Sequence, residues 1–335
     1  MKKKTARAVL VFASLTVMFF IAVVWNVNTG SVRISPGEIL KIIFLRQDNV
    51  IIWKLRLPRL MTASILGGAL ALSGLLLQTF FRNPVAGPFV LGISSGAKML
   101  LAVVTIIISG HMTRVPVSVT VIASFVGSML SMMLVLLISG RVRSMSMLLV
   151  VGIMISYICT AVTDFLINFA KEADIVNLTH WSLGSFASST WSDVGIAAAI
   201  VLPTSAFVFL MSKPIAAYSL GEGYALTMGV NVKLFRVLLI LTSSILSAVV
   251  TAFAGPISFV GIAVPHITRI MLGTSNPKTL IPASFLCGSV FCMICDLFAR
   301  TALSPVDLSV GTVTSAVGAP IVIWLMAKRR SEQEE

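Results

Sequence analysis

Charge is what this chain of 335 residues has least of: only 11% of it is Asp, Glu, Lys or Arg. A soluble domain of this length carries roughly 25%. The deficit excludes a surface that meets water over most of its area. Acidic residues are the scarcer sign, 12 against 25 basic ones, which leaves a net charge of +13. In a water-soluble protein that excess would suggest nucleic acid. Here the cations are spread thinly between apolar runs, and the basic loops of a membrane protein explain them better, so no nucleic-acid partner is expected. Histidine is nearly absent: His111, His180 and His266 lie far apart, with no His-Glu-x-x-His and no Gly-x-Ser-x-Gly. No catalytic constellation can be assembled, so no enzyme is expected. Gly-x-x-x-x-Gly-Lys-Ser/Thr is also missing, so the chain has no P-loop of its own. The four cysteines, Cys159, Cys287, Cys292 and Cys295, all lie in apolar runs. Cys292-Met-Ile-Cys295 has the spacing of a redox or zinc pair but lacks a second pair or flanking histidines, so buried structural cysteines and no metal site are expected.

What the chain does have is apolar length. Hydrophobic residues make up 57% of it, and its mean hydropathy is +1.01. Ten apolar segments can be marked, at roughly 8–28, 60–81, 89–109, 115–139, 145–170, 194–212, 237–256, 257–272, 279–299 and 308–327. The second, as a helix, is about 33 Å long, enough to cross a bilayer core of about 30 Å. Backbone groups in lipid must be satisfied internally, and no strand-like alternation is present. The expectation is an all-α polytopic membrane protein, a single permease domain over residues 1–335. The first apolar run follows Met1-Lys-Lys-Lys4 and continues past Trp25, longer than a signal-peptide core and without a small-x-small site after it, so it reads as a retained span. The stretch from Val237 to Leu272 is too long for one span and too short for two full ones. Gly255-Pro256 divides it into a full span and a short one, a form that often lines transport paths.

Ten spans place both termini on one side. With the N-terminus inside, fifteen basic residues fall on inner segments and nine on outer ones: Arg33, Lys41, Arg46, Lys54, Arg56, Arg59, Arg114, Lys171 and Arg300. The positive-inside rule then puts both termini in the cytoplasm of a cell membrane. Six of the nine exceptions crowd into residues 29–59. A weak internal match supports an inverted repeat: Gly74, Pro84 and Gly92 recur 181 residues later as Gly255, Pro265 and Gly273.

Several short stretches carry more than span character. Arg56-Leu-Pro-Arg59 enters the second span from the outside. It either anchors the helix end at the headgroups or grips carboxylates of a docking partner. Arg82-Asn-Pro-Val-Ala-Gly-Pro88 is a tight inner turn. Leu220-Gly-Glu-Gly-Tyr-Ala225-Leu-Thr-Met-Gly229 reads as a short inner helix stopped by Gly229. Asp296 and Arg300, spaced i, i+4, suit a local ion pair, compatible with docking by Arg300.

Taken in order, these stretches carry a resemblance: Arg56 to Arg59, Gly67/Gly68 with Gly74 and Gln78, Arg82-Asn-Pro84, Leu91 to Ala97, Trp181-Ser-Leu-Gly184, Leu220-Gly221 with Ala225 and Gly229, Gly255 to Gly261, Pro265-His-Ile-Thr-Arg269, Asp296 with Arg300, and Gly318-Ala-Pro320. From about residue 30 to 327 the chain resembles the iron-siderophore, haem and cobalamin permease family of type II ABC importers. The resemblance implies ten helices per subunit and a dimer, with an identical or a different second permease subunit. It also implies ATPase subunits inside, which bind the ATP that this chain does not, and a substrate-binding protein outside. It assigns Arg56, Arg59 and Arg300 to docking of the binding protein. It assigns Leu220, Gly221, Ala225, Leu226 and Gly229 to coupling with the ATPase, and Asn83, Val85, Met145 and Ser146 to the cytoplasmic gate. The sequence departs from the family pattern at Val85 and Gly87, where Leu and Asp are usual, and at Asp307-Leu-Ser-Val-Gly311, which lacks the usual proline. The function implied is import of an iron chelate, haem or cobalamin.

The rival is an ion-coupled secondary transporter, for which Asp164 is the main intramembrane carboxylate and thin support. The other charge inside a span is Lys98. Counted at helical rise from the inner turns at Gly87 and Ser144, Lys98 stands about 16 Å up and Asp164 about 30 Å, too far apart to pair. Lys98 then either faces a water-filled path as a candidate contact for an anionic chelate, or snorkels to the inner headgroups.

Overall fold

The computed structural model describes residues 2–30, 37, 49–109, 116–139, 145–303 and 306–334, which are helical and without a strand. The expectations for Arg33, Lys41, Arg46, Arg114, Arg141 and Arg143 lie outside the described residues. Helices α1 (Lys2–Asn28) and α2 (Leu57–Phe81) come first. A π-helical lead-in, Ile51–Arg56, runs straight into α2, so this helix starts well before residue 60. Pro58 supplies no backbone N–H, and the ladder ahead of it is wound wider instead of ending. A 3-10 turn, Pro88–Leu91, precedes α3 (Ile93–Ser109), which begins only after Gly92 takes a left-handed φ of 78°. There follow α4 (Val117–Ser139), α5 (Met145–Ile167), α6 (Glu172–Leu183), α7 (Trp191–Leu210), α8 (Ser212–Leu220) and α9 (Glu222–Thr227). The last four are α10 (Val232–Ala254), α11 (Val260–Leu272), α12 (Pro277–Thr301) and α13 (Val310–Glu334).

Local sequence sets the ends. Thr190 and Asp193 form a reciprocal capping box at the start of α7, and Asn231 and Asn276 cap α10 and α12 through their side-chain oxygens. Gly255, at φ 72°, stops α10, and a Cβ there would collide with the Trp181 carbonyl. Gly184, at φ 73°, would place its own Cβ 2.6 Å from the Pro256 carbonyl. Backbone meets backbone at this point, which only two glycines permit.

Among the described residues seven helices are long and apolar enough to cross a membrane, and three more (Ile93–Ile108, Val260–Leu272 and Val310–Trp324) are apolar but shorter. Large apolar side chains such as Leu10, Phe20, Leu137, Tyr157 and Phe165 stand exposed on α1, α4 and α5. Water would not tolerate that much exposed apolar surface, whereas hydrocarbon does. The chain is a multi-pass membrane protein.

Two compact units are present. The first comprises residues 1–72, 185–212 and 258–335. Within it α12 is the hub, packed by α1, α7, α11 and α13. Gly67 of α2 and Gly288 of α12 pack carbonyl against Cα, the close approach that small residues allow between membrane helices. Helix α1 is held at both ends. Near its start, Arg7 donates through Nε to the Met271 carbonyl (2.8 Å) and through Nη2 to that of Ile270 (2.7 Å), closing the C-terminus of α11. Near its finish, the Asn26 amide donates to the Met293 carbonyl of α12 at 3.1 Å.

The second unit comprises residues 73–184 and 213–257, with α3 packed on α4, α5 and α6, and α10 packed on α4 and α3. Its apolar interior holds paired hydroxyls: Ser73 lies 2.8 Å from Ser243 and also bonds Ser247. Of the residues in the 181-residue match, Gly92 and Gly273 share a left-handed helix-capping conformation, at φ 78° and 61°, and the other two pairs differ. Gly74 lies inside α2 while Gly255 stops α10, and Pro84 sits in a turn while Pro265 is inside α11.

Candidate functional site: buried arginines, a short helix and a polar cavity

The first unit gathers Arg56, Arg59 and Arg300 around a cavity of about 360 Å³ that also touches Asp307. None of the three is an open fork. Arg59 grips Asp296: its Nε donates to both carboxylate oxygens at 3.0 Å and its Nη2 lies 2.8 Å from Oδ1. Asp307 stands 3.5 Å from the Nη1 of Arg59. Arg300 donates through Nη2 to the backbone and side-chain oxygens of Asn26, both at 2.7 Å. Arg56 donates to the carbonyls of Val27 and Asn28, and Gly30 leaves room for its guanidinium. Side-chain exposure is 13% for Arg59 and 9% for Arg300, against 58% for Asp307. The i, i+4 pairing expected of Asp296 and Arg300 is the looser contact, at 3.9 Å. Asp296 is turned to Arg59, whose planar fork offers two donors at once. Asn26 was not among the expected site residues; an amide near the end of an apolar span was the signal for it.

The second unit builds a different feature from α8 and α9. Ala225 is fully buried, while Leu220, Tyr224, Leu226 and Met228 stand exposed around it. Gly221 (φ 137°) and Gly229 (φ 80°) bracket the helix, and a Cβ at either would meet no neighbour, so backbone conformation alone calls for glycine. The short helix is tied down by Glu222, whose Oε2 accepts from Arg236 Nη2 at 2.6 Å. Behind it the buried Tyr218 receives the Arg82 guanidinium over its ring at 5.2 Å, and the Phe235 ring lies tilted against it at 5.3 Å. The Arg82 turn thus reaches α8, a contact with no sequence signal. Within the turn, Asn83 Oδ1 accepts from Val85 N at 3.1 Å, and both residues are half-buried. The side chains of Met145 and Ser146 lie outside the described residues.

Lys98 and Asp164 also belong to the second unit, and here the expected height difference between them fails. Both line one cavity of about 240 Å³, with Ser94, Thr160, Trp181 and Pro256. The error was in the starting height of α3. This helix begins beside the middle of α5: Gly92 packs against Gly152 and Ser156, and its carbonyl accepts from Ser131 at 2.9 Å. Gly92 thus stands seven to eleven residues up α5, roughly 10–16 Å, and Lys98, six residues later, at roughly 19–25 Å, nearer the height of Asp164. Lys98 and Asp164 still form no ion pair within 4.0 Å among the described residues.

Comparison with known proteins agrees with this architecture. The family described as the FecCD transport family matches residues 17–328. The vitamin B12 import system permease protein BtuC of Citrobacter koseri is 33% identical over 318 residues, covering 95% of this chain and 94% of its own. That of Klebsiella pneumoniae is also 33% identical, covering 94% and 93%. An inward-facing metal-chelate-type ABC transporter superposes with a TM-score of 0.83 at 26% identity, covering 96% of this chain and 99% of its own. The PsaBC complex of Streptococcus pneumoniae shares the fold alone, with a TM-score of 0.56 at 18% identity. With the match running through both units and nearly every helix, the chain belongs to the FecCD transport family.

Proposed function

We propose that the chain is the permease subunit of a binding-protein-dependent ABC importer that carries a metal chelate, such as a ferric siderophore, or a related haem or cobalamin into the cytoplasm. The observation that carries the reading is α9: six residues, bracketed by glycines at positive φ, tethered by Glu222 and presenting Tyr224, Leu226 and Met228 outward. A small rigid apolar knob tied to the rest of its unit through Tyr218 suits insertion into the cleft of an ATPase and transmission of its movement. The cytoplasmic gate is assigned to the Arg82 turn with Asn83 and Val85, and to Met145 and Ser146. A second permease subunit completes the path, and ATP is bound by the partner subunits.

The three arginines are proposed to receive carboxylates of the binding protein by exchange. Arg59 already holds Asp296 and Asp307, and a partner's glutamate would replace the exposed Asp307, not the buried Asp296. Expression of the tagged chain with its neighbouring ATPase subunit, followed by co-purification and ATP-dependent uptake into proteoliposomes, tests the reading. No associated ATPase, with uptake driven instead by an ion gradient, would establish the secondary-transporter alternative.

A further inference from the structure

The wall of the cavity shared by Lys98 and Asp164 carries hydrogen-bond donors that no acceptor answers among the described residues. The Ser94 hydroxyl and the Trp181 indole N–H are buried and have no hydrogen-bond partner among the described residues. Lys98 adds three N–H donors from a half-buried position, and no carboxylate lies within 4.0 Å of it among the described residues. In an apolar setting such groups are costly to leave unanswered. The hydroxyls of Thr163 and Ser182 donate to their own helices, to the carbonyls of Cys159 and Leu178, and accept from neither Ser94 nor Trp181 among the described residues. The wall that carries Trp181 is rigid: it is the segment where Gly184 and Gly255 meet backbone to backbone, beside Pro256. Asp164, which is exposed, also lines the cavity and supplies an acceptor.

We propose that this cavity is a subsite for an oxyanion of the transported ligand, a carboxylate or its equivalent on an organic chelate. Ser94, Lys98 and Trp181 donate to it, and Asp164 accepts from an adjacent hydroxyl or N–H of the same ligand. The inference rests on the transport reading for the ligand being a chelate, but the site itself is defined by the donor set. An oxyanion answers a cation and two neutral donors together, which a neutral acceptor does not. Its volume, about 240 Å³, takes a carboxylate-bearing arm and not a whole macrocycle. Asp164 penalises a bare anion and favours one carrying its own donor, which gives selectivity as well as attraction.

The test is equilibrium binding of radiolabelled ferric EDTA, an anionic carboxylate chelate, to the full chain in nanodiscs of zwitterionic lipid, with cyanocobalamin as a macrocyclic comparison. Saturable binding in the millimolar range is expected. Lys98→Met should weaken it about tenfold or more, Lys98→Arg should retain it, and Asp164→Asn should tighten binding of this chelate, which lacks a hydroxyl. Trp181→Phe, which keeps the ring and removes only the N–H, should weaken it without loss of the folded protein by size exclusion. Absence of saturable binding, or equal binding by Lys98→Met, overturns the proposal. Anionic phosphatidylglycerol in the disc distinguishes a lipid source of the oxyanion. If this lipid abolishes chelate binding and Lys98→Met relieves the effect on chelate access, the cavity is a headgroup site and the proposal fails. None of these arms requires an ATPase, so the result stands apart from the co-purification test.

Discussion

Asp296 is 1% exposed, and its charge is supported by Arg59 from a helix far away in sequence. Removing one member of a buried ion pair strands the other, at about 3–5 kcal/mol. Asp296→Ala is therefore expected to lower thermal stability in detergent sharply, and the double variant with Arg59→Met should recover much of it; equal stability of the single variant and wild type would refute the pairing. Asp307 behaves differently because water reaches it. An exposed pair is worth about 0.2–1 kcal/mol, so Asp307→Asn should leave stability nearly intact. Under the exchange proposal it frees Arg59, and binding-protein affinity should rise by up to about fivefold; a fall would reject the exchange. Reversal of Arg59 itself is a poor docking probe, since it sets two carboxylates against each other in the interior.

At the level of elements, α9 makes the sharpest demand. Ala225→Trp has no space, because Ala225 is fully enclosed, and Gly229→Val forces a β-branched side chain into positive φ, at roughly 1–2 kcal/mol. Both variants should insert normally yet show ATP hydrolysis unlinked from uptake in the reconstituted complex; normal coupling would move the ATPase contact elsewhere. The short helix was legible in the sequence because Ala225, Leu226 and Met228 suit a helix and Gly229 stops it, while which side chains it buries was not. The late start of α3 was not legible either. Prolines 84 and 88 and Gly92 announce a turn, but not its length or its height against α5, and that height follows from where Gly92 finds Gly152 and Ser156. The arginines were equally half-legible. Their clustering broke the positive-inside pattern and drew notice, yet their partners, Asn26, Val27 and Asp296, come from helices whose pairing no local pattern specifies.

For the molecule as a whole, the basic residues near both ends argue for a cytoplasmic N- and C-terminus. A cysteine introduced at Ser331 should react with an impermeant maleimide in inside-out vesicles and not in intact cells, and the opposite pattern would invert the topology. The native thiols give little background, since all four are free but buried. The fastening of α1 has a consequence in time. Arg7 and Met271 are 264 residues apart, and a ribosome adding about 5–20 residues per second needs roughly 13–53 s to make the second after the first. Throughout that interval the start of the earliest helix waits in the bilayer without its partner, and its largely exposed, apolar surface suits it to waiting. A polypeptide interrupted before Ile270 leaves Arg7 without the carbonyls of Ile270 and Met271, while a finished one pins α1 at both ends.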